Sequence, residues 1–355
     1  MDVLTFGAGA IGTYIGGLLA LTGHRVTFIE QPKVAGELAQ RGLRLDLTVD
    51  SRRETGQLSV TGDRYPVEFV SSLAEALKRG PFGIGFFALK SFDTAAALEG
   101  MKPYADQLPP ILCLSNGVDN EPAIAAVLGS QNVIAGTVTS AVGRRAAGDI
   151  ILEKLRGVGV AGGHPLSLWL AEALNGAGLN ASLYPRAADM KWSKMLTNLM
   201  VNASVAILDM PPREVLSHPG LFNLEIAMLC EALAVMKAQG IRVVDTPKTP
   251  VRLLALAASM PAFISRPLMV KAVGGGRGGK MPSFHIDLHN RREKSEVEWL
   301  NGAVVRYGEQ VGVSTPVNKI LTETLLALTR GEIPLETFSR QPEKLINLTS
   351  TGKNV

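Results

Sequence analysis

One lysine and two asparagines have types and spacing that suit a chemical role. Lys194, Asn198 and Asn202 recur every four residues, an interval that places them along one stripe of a helix. An ammonium group can donate a proton to a developing alkoxide, and amides can orient a substrate without adding charge. The stripe therefore suits the reduction of a carbonyl, which needs hydride at carbon and a proton at oxygen. A polar stripe on an ordinary amphipathic helix is the alternative interpretation.

A second candidate site is a glycine-rich turn near the start of the chain. It matches GxGxxG and consists of Gly7, Ala8, Gly9, Ala10, Ile11 and Gly12. The first glycine of such a motif permits a tight turn, the second lets backbone N–H groups approach a pyrophosphate, and the third lets the helix pack closely on the strand. The helix N-terminus adds partial positive charge. Because the motif joins a predicted strand to a predicted helix, we expect a dinucleotide there rather than a plain turn.

The residue that reads the cofactor ribose is expected at the end of the second strand. Glu30 stands there, about 20 residues beyond the glycines. A carboxylate accepts hydrogen bonds from a 2′-hydroxyl and repels a 2′-phosphate, which favours NAD over NADP. Lys33 lies nearby and could instead pair with a phosphate. Glu30 could also be a solvated strand end.

The elements that must position these groups differ between the two halves of the chain. The first half alternates short apolar runs with helical patterns, which is typical of parallel βαβ units. Residues 3–6, Arg25–Ile29, 83–88 and 111–114 are predicted strands, and Ala10–Leu21 is a predicted helix. Further strands, some of them antiparallel, are expected within 133–141 and 150–160.

Helical periodicity dominates after Pro185. Predicted helices cover 189–208, 221–238, 293–311 and Pro316–Thr329, with a break at Pro211-Pro212 and a flexible loop at 274–279 (GGGRGG). We therefore predict an α/β fold, with an N-terminal Rossmann-type doubly wound domain at 1–185 and an all-α C-terminal domain at 186–350.

The bulk composition limits the classes of function. The 355 residues are 46% hydrophobic and 19% charged, and a net charge of +4 without a basic cluster speaks against nucleic-acid binding. Cys113 and Cys230 lie in apolar runs and are expected to be buried thiols in a reducing compartment. The chain lacks a signal-peptide pattern and, by inspection, an apolar run near the roughly 20 residues of a membrane span. We expect a cytoplasmic protein with a small-molecule substrate and no membrane partner, and a helical second domain is compatible with a homodimer.

Five motifs resemble those of the ketopantoate reductases and occur in the same order. They are GAGAIG at 7–12, LKSFDT at 89–94, SNGVDN at 115–120, KWSKMLTNLMVNA at 191–203 and SEVEWLNGAVV at 295–305. The resemblance covers residues 1–328. It implies reduction of 2-dehydropantoate to (R)-pantoate with NADPH, a step towards pantothenate and coenzyme A. It also implies a Rossmann domain followed by a helical domain, with the active site in the cleft between them.

The resemblance implies a role for each candidate residue. Lys194 corresponds to the general acid that protonates the carbonyl oxygen, and Asn198 and Asn202 correspond to amides that hold the substrate. Asn116 corresponds to an asparagine near the nicotinamide and the substrate, and Lys90 to a lysine close to the cofactor.

Two further residues take their roles from the resemblance alone. Ser283 corresponds to the hydroxyl that binds the substrate carboxylate, although a helix N-cap is an equal alternative. Glu296 corresponds to an acid near the nicotinamide ribose and the substrate hydroxyl, and it could serve as a counter-charge to Lys194. From its own surroundings, Glu296 could belong with Glu298 to the polar face of a helix.

The chain departs from the family pattern in three places. Gln31 stands where many members have an arginine for the 2′-phosphate, so NADP and NAD both remain candidate cofactors. Pro212 replaces a substrate-binding asparagine of some members, which leaves the particular substrate open. Residues 261–280 look inserted, as a mobile lid or a surface loop.

Other interpretations of function stay open. An NAD-dependent 2-hydroxyacid dehydrogenase could use the same lysine and asparagines on a different side chain, and a non-catalytic dinucleotide sensor is a candidate from another class. The five histidines show no metal-ligand spacing with cysteines or acids, so no metal is predicted, and a surface or capping role is expected for His285 and His289.

Overall fold

The computed structural model describes residues 1–276, 281–290 and 293–351. It divides into two compact units, Met1–Lys191 with Thr246–Thr249, and Trp192–Asp245 with Pro250–Val355. The division falls within one helix, Ala187–Leu199. The domain boundary expected between 185 and 186 stays a prediction.

The first unit contains two sheets and the helices that cover them. Its strands are β1 (Asp2–Phe6), β2 (Arg25–Ile29), β3 (Leu43–Asp46), β4 (Gln57–Val60), β5 (Val67–Val70), β6 (Ile84–Phe87), β7 (Ile111–Cys113), β8 (Val133–Val138), β9 (Ala141–Ala146), β10 (Asp149–Lys154), β11 (Val158–Ala161) and β12 (Ala181–Tyr184). Its helices are α1 (Ala10–Leu21), α2 (Pro32–Arg41), α3 (Leu73–Leu77), α4 (Thr94–Met101), α5 (Asn120–Leu128) and α6 (Ser167–Gly176).

The main sheet has eight strands in the order β12-β11-β8-β7-β6-β1-β2-β5. Its strands pair in parallel except β8 with β11. The chain passes from β2 and β5 on one side of β1 to β6 on the other, which makes the carboxyl end of β1 a topological switch point. The predicted Rossmann-type fold is confirmed, and the ranges expected for α1 and β2 match the structure.

Both faces of the main sheet are buried at its central strands. Val3 and Leu4, adjacent in β1, are fully buried in different hydrophobic clusters because successive side chains point to opposite faces. Continuous apolar runs such as those of β1 and β6 are typical of strands covered on both faces. The expected extra strands are also present. β9 and β10 form an antiparallel pair in a second sheet of order β4-β3-β10-β9, in which β3 and β10 are parallel.

The second unit consists of helices and turns in the part of it that the structure describes, as the sequence predicts. After α7 (Ala187–Leu199), which spans the division, come α8 (Ala203–Leu208), α9 (Pro212–Ser217), α10 (Pro219–Ala238), α11 (Val251–Ala258), α12 (Ala262–Gly276), α13 (Ser283–His289), α14 (Asn301–Val311), α15 (Pro316–Thr329) and α16 (Pro342–Thr351). A 3₁₀ turn, Glu296–Trp299, precedes α14.

Helix α10 corrects the expectation that no segment is long and apolar enough to cross a membrane. Among the described residues it is the one helix of that length and apolar character, with a mean hydropathy of 1.4, and half of this apolar stretch is buried in the protein. It packs against α9, α14 and α15. Its Glu225 is fully buried and accepts hydrogen bonds from the Val201 N–H and the Ser204 hydroxyl. These contacts are those of a core helix.

Two helix predictions for the second half are wrong. The helix expected over 189–208 is interrupted at residues 200–202, and the one expected over 293–311 begins as a helix only at Asn301 because a 3₁₀ turn precedes it. The predicted break at Pro211-Pro212 is confirmed, because α8 ends at Leu208 and Pro212 occupies the first turn of the next helix, α9, where a proline is tolerated.

Two further expectations about the second half fail. The glycines 274–276 lie at the end of α12, so most of the segment expected as an inserted lid or loop is helical, and residues 277–280 lie outside the described ones. Cys113 is buried as predicted, but Cys230 is exposed because it lies on an outward face of α10.

Candidate active site

The glycine turn occupies the switch point at the end of β1. Gly7 has a φ of +93°, and its N–H donates to the Ile29 carbonyl at 3.1 Å. A Cβ on Gly12 would lie 2.0 Å from the Gly7 carbonyl oxygen, so only glycine fits there. A Cβ on Gly9 would meet nothing within 4 Å. The turn thus has a tight inner side and an open outer side over the α1 N-terminus, the geometry that a pyrophosphate requires.

Glu30 lies against this turn. Its Oε1 accepts a hydrogen bond from the Ala8 N–H at 2.5 Å, and its Oε2 accepts one from the Gln31 N–H at 3.2 Å. A carboxylate has about four lone-pair sites, so both oxygens can still accept a ribose hydroxyl. Lys33 is exposed on α2. Glu30 therefore lies beside the glycine turn. The role of Glu30 at the cofactor ribose stays a prediction.

The loops after β6 and β7 carry Lys90 and Asn116. Lys90 is half-buried and precedes the 3₁₀ turn Ser91–Asp93, whereas Asn116 is exposed. Asn120 joins the two loops: its Nδ2 donates to the Asn116 carbonyl at 2.7 Å and to the Ser91 hydroxyl at 3.1 Å. The Ser91 hydroxyl also donates to the Asn116 carbonyl, at 3.0 Å. The buried amide of Asn120 therefore fixes the backbone that carries both predicted cofactor residues.

In the second unit, Lys194 and Asn198 form a direct pair on α7. The half-buried Lys194 donates from Nζ to the Asn198 Oδ1 at 2.8 Å. This contact joins neighbouring turns of the helix, as the spacing of four predicts. The amide oxygen orients the ammonium group without neutralising its charge.

Asn202 does not continue that helix. Helix α7 ends at Leu199, Val201 has a φ of +48°, and Asn202 is the N-cap residue of α8. Its Nδ2 donates to the Asn198 carbonyl at 3.0 Å, and its Oδ1 accepts from the Phe284 N–H at 3.1 Å. The predicted single stripe is therefore wrong as helix geometry, although hydrogen bonds to the side chain and the backbone carbonyl of Asn198 still link the three residues.

Ser283 extends this line, because its Oγ lies 3.5 Å from the Asn202 Nδ2. Ser283 is exposed and is the first residue of α13, whose N-cap is Pro282. The N-cap alternative for Ser283 is thus incorrect. We call Lys194, Asn198, Asn202 and Ser283 the amide line.

Glu296 and Glu298 have different environments. Glu296 is 2% exposed and opens the 3₁₀ turn Glu296–Trp299, which packs against α14 and α15. Glu298 is exposed, so the polar-face interpretation fits it and not Glu296. A buried carboxylate requires polar partners. Glu296 therefore stays a candidate for a functional role in the second unit.

Two family models together match most of the chain. The model for Ketopantoate reductase PanE/ApbA matches residues 3–162, and the model for its C terminal matches residues 186–329. This chain belongs to the ketopantoate reductase family. Its members are oxidoreductases that act on 2-keto acids with a nicotinamide dinucleotide, and the glycine turn of this chain fits such a cofactor.

Individual relatives agree with this assignment. The chain is 28% identical over 334 residues to a 2-dehydropantoate 2-reductase of Archaeoglobus fulgidus, covering 93% of this chain and 97% of the relative. The structure of a PanE/ApbA family ketopantoate reductase from Ralstonia eutropha JMP134 matches with a TM-score of 0.76 and 25% identity over 94% of this chain and 99% of that one. A ternary structure of D-mandelate dehydrogenase with NADH and anilino(oxo)acetate matches with a TM-score of 0.73 over 93% and 99% of the two chains. Its 20% identity shows the shared fold alone.

Lys191 was not among the residues predicted from the sequence of this family member. It is buried, its Nζ donates to the Ser115 carbonyl at 2.7 Å and the Gly136 carbonyl at 3.3 Å, and it forms an ion pair of 2.7 Å with Glu121. These contacts fix the first half of α7 to the loop after β7 and to β8. Its position between the apolar Met190 and Trp192 could have indicated a buried lysine.

Glu225 is the second missed residue. Its carboxylate accepts from the Val201 N–H at 2.8 Å and from the Ser204 hydroxyl, so it satisfies the backbone group that the α7–α8 interruption leaves unpaired. Glu225 therefore positions Asn202 from a distant helix. The signal in the sequence was an acid within the long apolar run of α10, a run that also contains Glu231.

Proposed function

We propose that this protein reduces the C2 carbonyl of 2-dehydropantoate to (R)-pantoate, with Lys194 as the general acid. The observation that carries this proposal is the amide line, in which a half-buried ammonium group contacts the Asn198 amide and is linked through Asn198 and Asn202 to an exposed hydroxyl. Such a row offers a proton donor at one end and neutral donors along its length. Those are the groups that a 2-keto acid needs as its carbonyl becomes an alkoxide.

Each residue of the second unit has a part in this mechanism. Lys194 donates a proton from Nζ to the C2 oxygen, and Asn198 orients that ammonium group through its Oδ1. Asn202 holds the substrate, and the Ser283 hydroxyl binds its carboxylate. Glu296 acts as a counter-charge that favours the protonated form of Lys194.

The first unit holds the cofactor in this proposal. The turn at 7–12 would hold the pyrophosphate of a reduced nicotinamide dinucleotide, which would supply the hydride. Lys90 and Asn116 would contact the cofactor from the loops after β6 and β7, and Glu30 would accept a hydrogen bond from the adenosine ribose. A carboxylate at the ribose disfavours a 2′-phosphate, so the chain's own residues support NAD, whereas the family resemblance favours NADP. We expect the reaction to take place in the cytoplasm.

The test is a screen of substrates and cofactors. The purified protein is assayed with 2-dehydropantoate and with pyruvate, 2-oxoisovalerate and phenylglyoxylate, each with NADH and NADPH in parallel. We expect the highest kcat/KM for 2-dehydropantoate. Absence of its reduction with both cofactors overturns the proposal.

A second candidate is an NAD-dependent 2-hydroxyacid dehydrogenase that acts on another small 2-keto acid. Two observations favour it, the carboxylate of Glu30 beside the turn and a buried proline, Pro212, where some family members bind substrate with an asparagine. The same screen separates the two candidates, because this one predicts a different preferred acid and a clear preference for NADH.

A further inference from the structure

A group of metal-binding side chains lies at the C-terminal end of α8, seven residues beyond Asn202. Asp209 follows α8 with a φ of +49°, and His285 and His289 occupy one face of α13. Asp209 and His285 are 76 positions apart, so no local spacing could indicate the group. Together these three residues form what we call the His-Asp cluster.

The ligand atoms of the cluster converge. The Nε2 atoms of His285 and His289 lie 2.7 Å and 3.7 Å from the same oxygen, Oδ1 of Asp209. All three ligand atoms lie within 4.8 Å of one another. A tetrahedral zinc ion with bonds of about 2.0–2.1 Å needs its ligand atoms about 3.3 Å apart. The two distances bracket that value. The two imidazole rings are stacked, with centroids 4.0 Å apart and 25° between their planes, so one ring must rotate for both Nε2 lone pairs to face one ion.

The side chains of the cluster are accessible to solvent and carry atoms that can bind a cation. The side chain of His285 is 14% exposed, that of His289 33% and that of Asp209 45%, so solvent reaches the ligands. An imidazole nitrogen with a free lone pair is the commonest metal ligand among protein side chains. Two imidazoles and one carboxylate are a common zinc ligand set that leaves a fourth position for water.

We propose that Asp209, His285 and His289 form a binding site for a divalent transition-metal ion of the zinc type. The ion joins the C-terminal end of α8 to α13 at a point distinct from the amide line. Because α13 also begins with Ser283, the ion holds this short helix at its second turn.

The experiment uses the full chain without a polyhistidine tag, stripped with EDTA and dialysed. Zn²⁺ is titrated calorimetrically, and Co²⁺ serves as a visible-absorption probe of coordination. We expect one Zn²⁺ per chain in the wild type, with affinity at least tenfold weaker in His289→Ala and Asp209→Asn. The control is His164→Ala, which removes a histidine of the other unit that hydrogen-bonds the Gln131 carbonyl and is expected to bind Zn²⁺ normally.

Hydrogen exchange provides a second measurement that is independent of catalysis. Zn²⁺ is expected to slow amide exchange in Ser283–His289 in the wild type but not in His289→Ala. If the wild type binds no Zn²⁺, or if the cluster variants and His164→Ala bind it equally, the proposal is wrong. The three residues would then be only a hydrogen-bonded contact between α8 and α13.

Discussion

The glycine turn of the first unit and the amide line of the second unit are built in different ways. The glycine turn consists of six consecutive residues, and its shape follows from backbone geometry at Gly7 and Gly12. The amide line takes side chains from three separate segments and depends on a helix interruption held by Glu225. A site made from local backbone can be deduced from a motif. A site assembled from distant side chains depends on supports that the motif does not contain.

The largest expected effect concerns the chemical end of the amide line. Lys194→Ala should lower kcat by about 10²–10⁴, the usual contribution of a general acid, with little change in cofactor affinity. Stopped-flow turnover and fluorescence titration with NADH and NADPH measure the two quantities separately.

The matched control is Lys319→Ala, which removes an exposed lysine from α15 in the same unit. It should leave both quantities unchanged. Near-normal turnover of Lys194→Ala would remove this lysine from the mechanism. It would also revive the interpretation of the protein as a non-catalytic dinucleotide sensor.

The glycine turn offers a pair of substitutions with opposite expectations. Gly12→Ala places a Cβ against the Gly7 carbonyl and should destabilise the fold by about 1–3 kcal/mol, as overpacking does. Gly9→Ala meets no protein atom within 4 Å and should leave stability almost unchanged, yet weaken cofactor binding because it fills the open side of the turn.

Thermal unfolding and cofactor titration distinguish these two substitutions. Equal stability losses would mean that the tight and open sides of the turn do not differ as described. Normal cofactor affinity in Gly9→Ala would place the pyrophosphate elsewhere.

The same contrast explains which parts of the structure could be predicted from the sequence alone. The β1–α1–β2 unit was predictable because its apolar runs and glycines are continuous in the chain. The interruption before Asn202 was not, because apolar periodicity continues across residues 200–202 while the stabilising carboxylate lies 24 positions away on α10. The exposure of Cys230 was equally hidden, since an apolar run on a helix does not reveal which face is covered.

Substitution of Glu225 tests whether the amide line depends on the hydrogen bonds that this carboxylate accepts from Val201 and Ser204. Glu225→Leu leaves the Val201 N–H buried without this acceptor and should destabilise the protein by about 1–3 kcal/mol. It should also raise the KM for the keto acid more than it lowers kcat, because Asn202 is displaced while Lys194 stays. Chemical denaturation and steady-state kinetics measure these effects.

Glu225→Gln is the conservative control. Its amide can accept from the Val201 N–H through oxygen and donate to the Ser204 oxygen through nitrogen, so it should recover most of the stability and the KM. If the leucine variant loses stability but keeps the wild-type KM, Glu225 supports the helices without positioning the substrate amide.

The smallest expected effect concerns the choice of cofactor at the glycine turn. Removing the charge of Glu30 relieves a repulsion with a 2′-phosphate that amounts to about 1 kcal/mol at 4 Å in water, or roughly fivefold in affinity. Glu30→Gln should therefore shift the ratio of kcat/KM towards NADPH by about that factor, while its amide oxygen continues to accept from the Ala8 N–H. Glu30→Arg should shift the ratio further, because it adds a positive partner for the phosphate, although it loses the contact with Ala8. An unchanged ratio in both variants would show that Glu30 supports the turn without contacting the ribose.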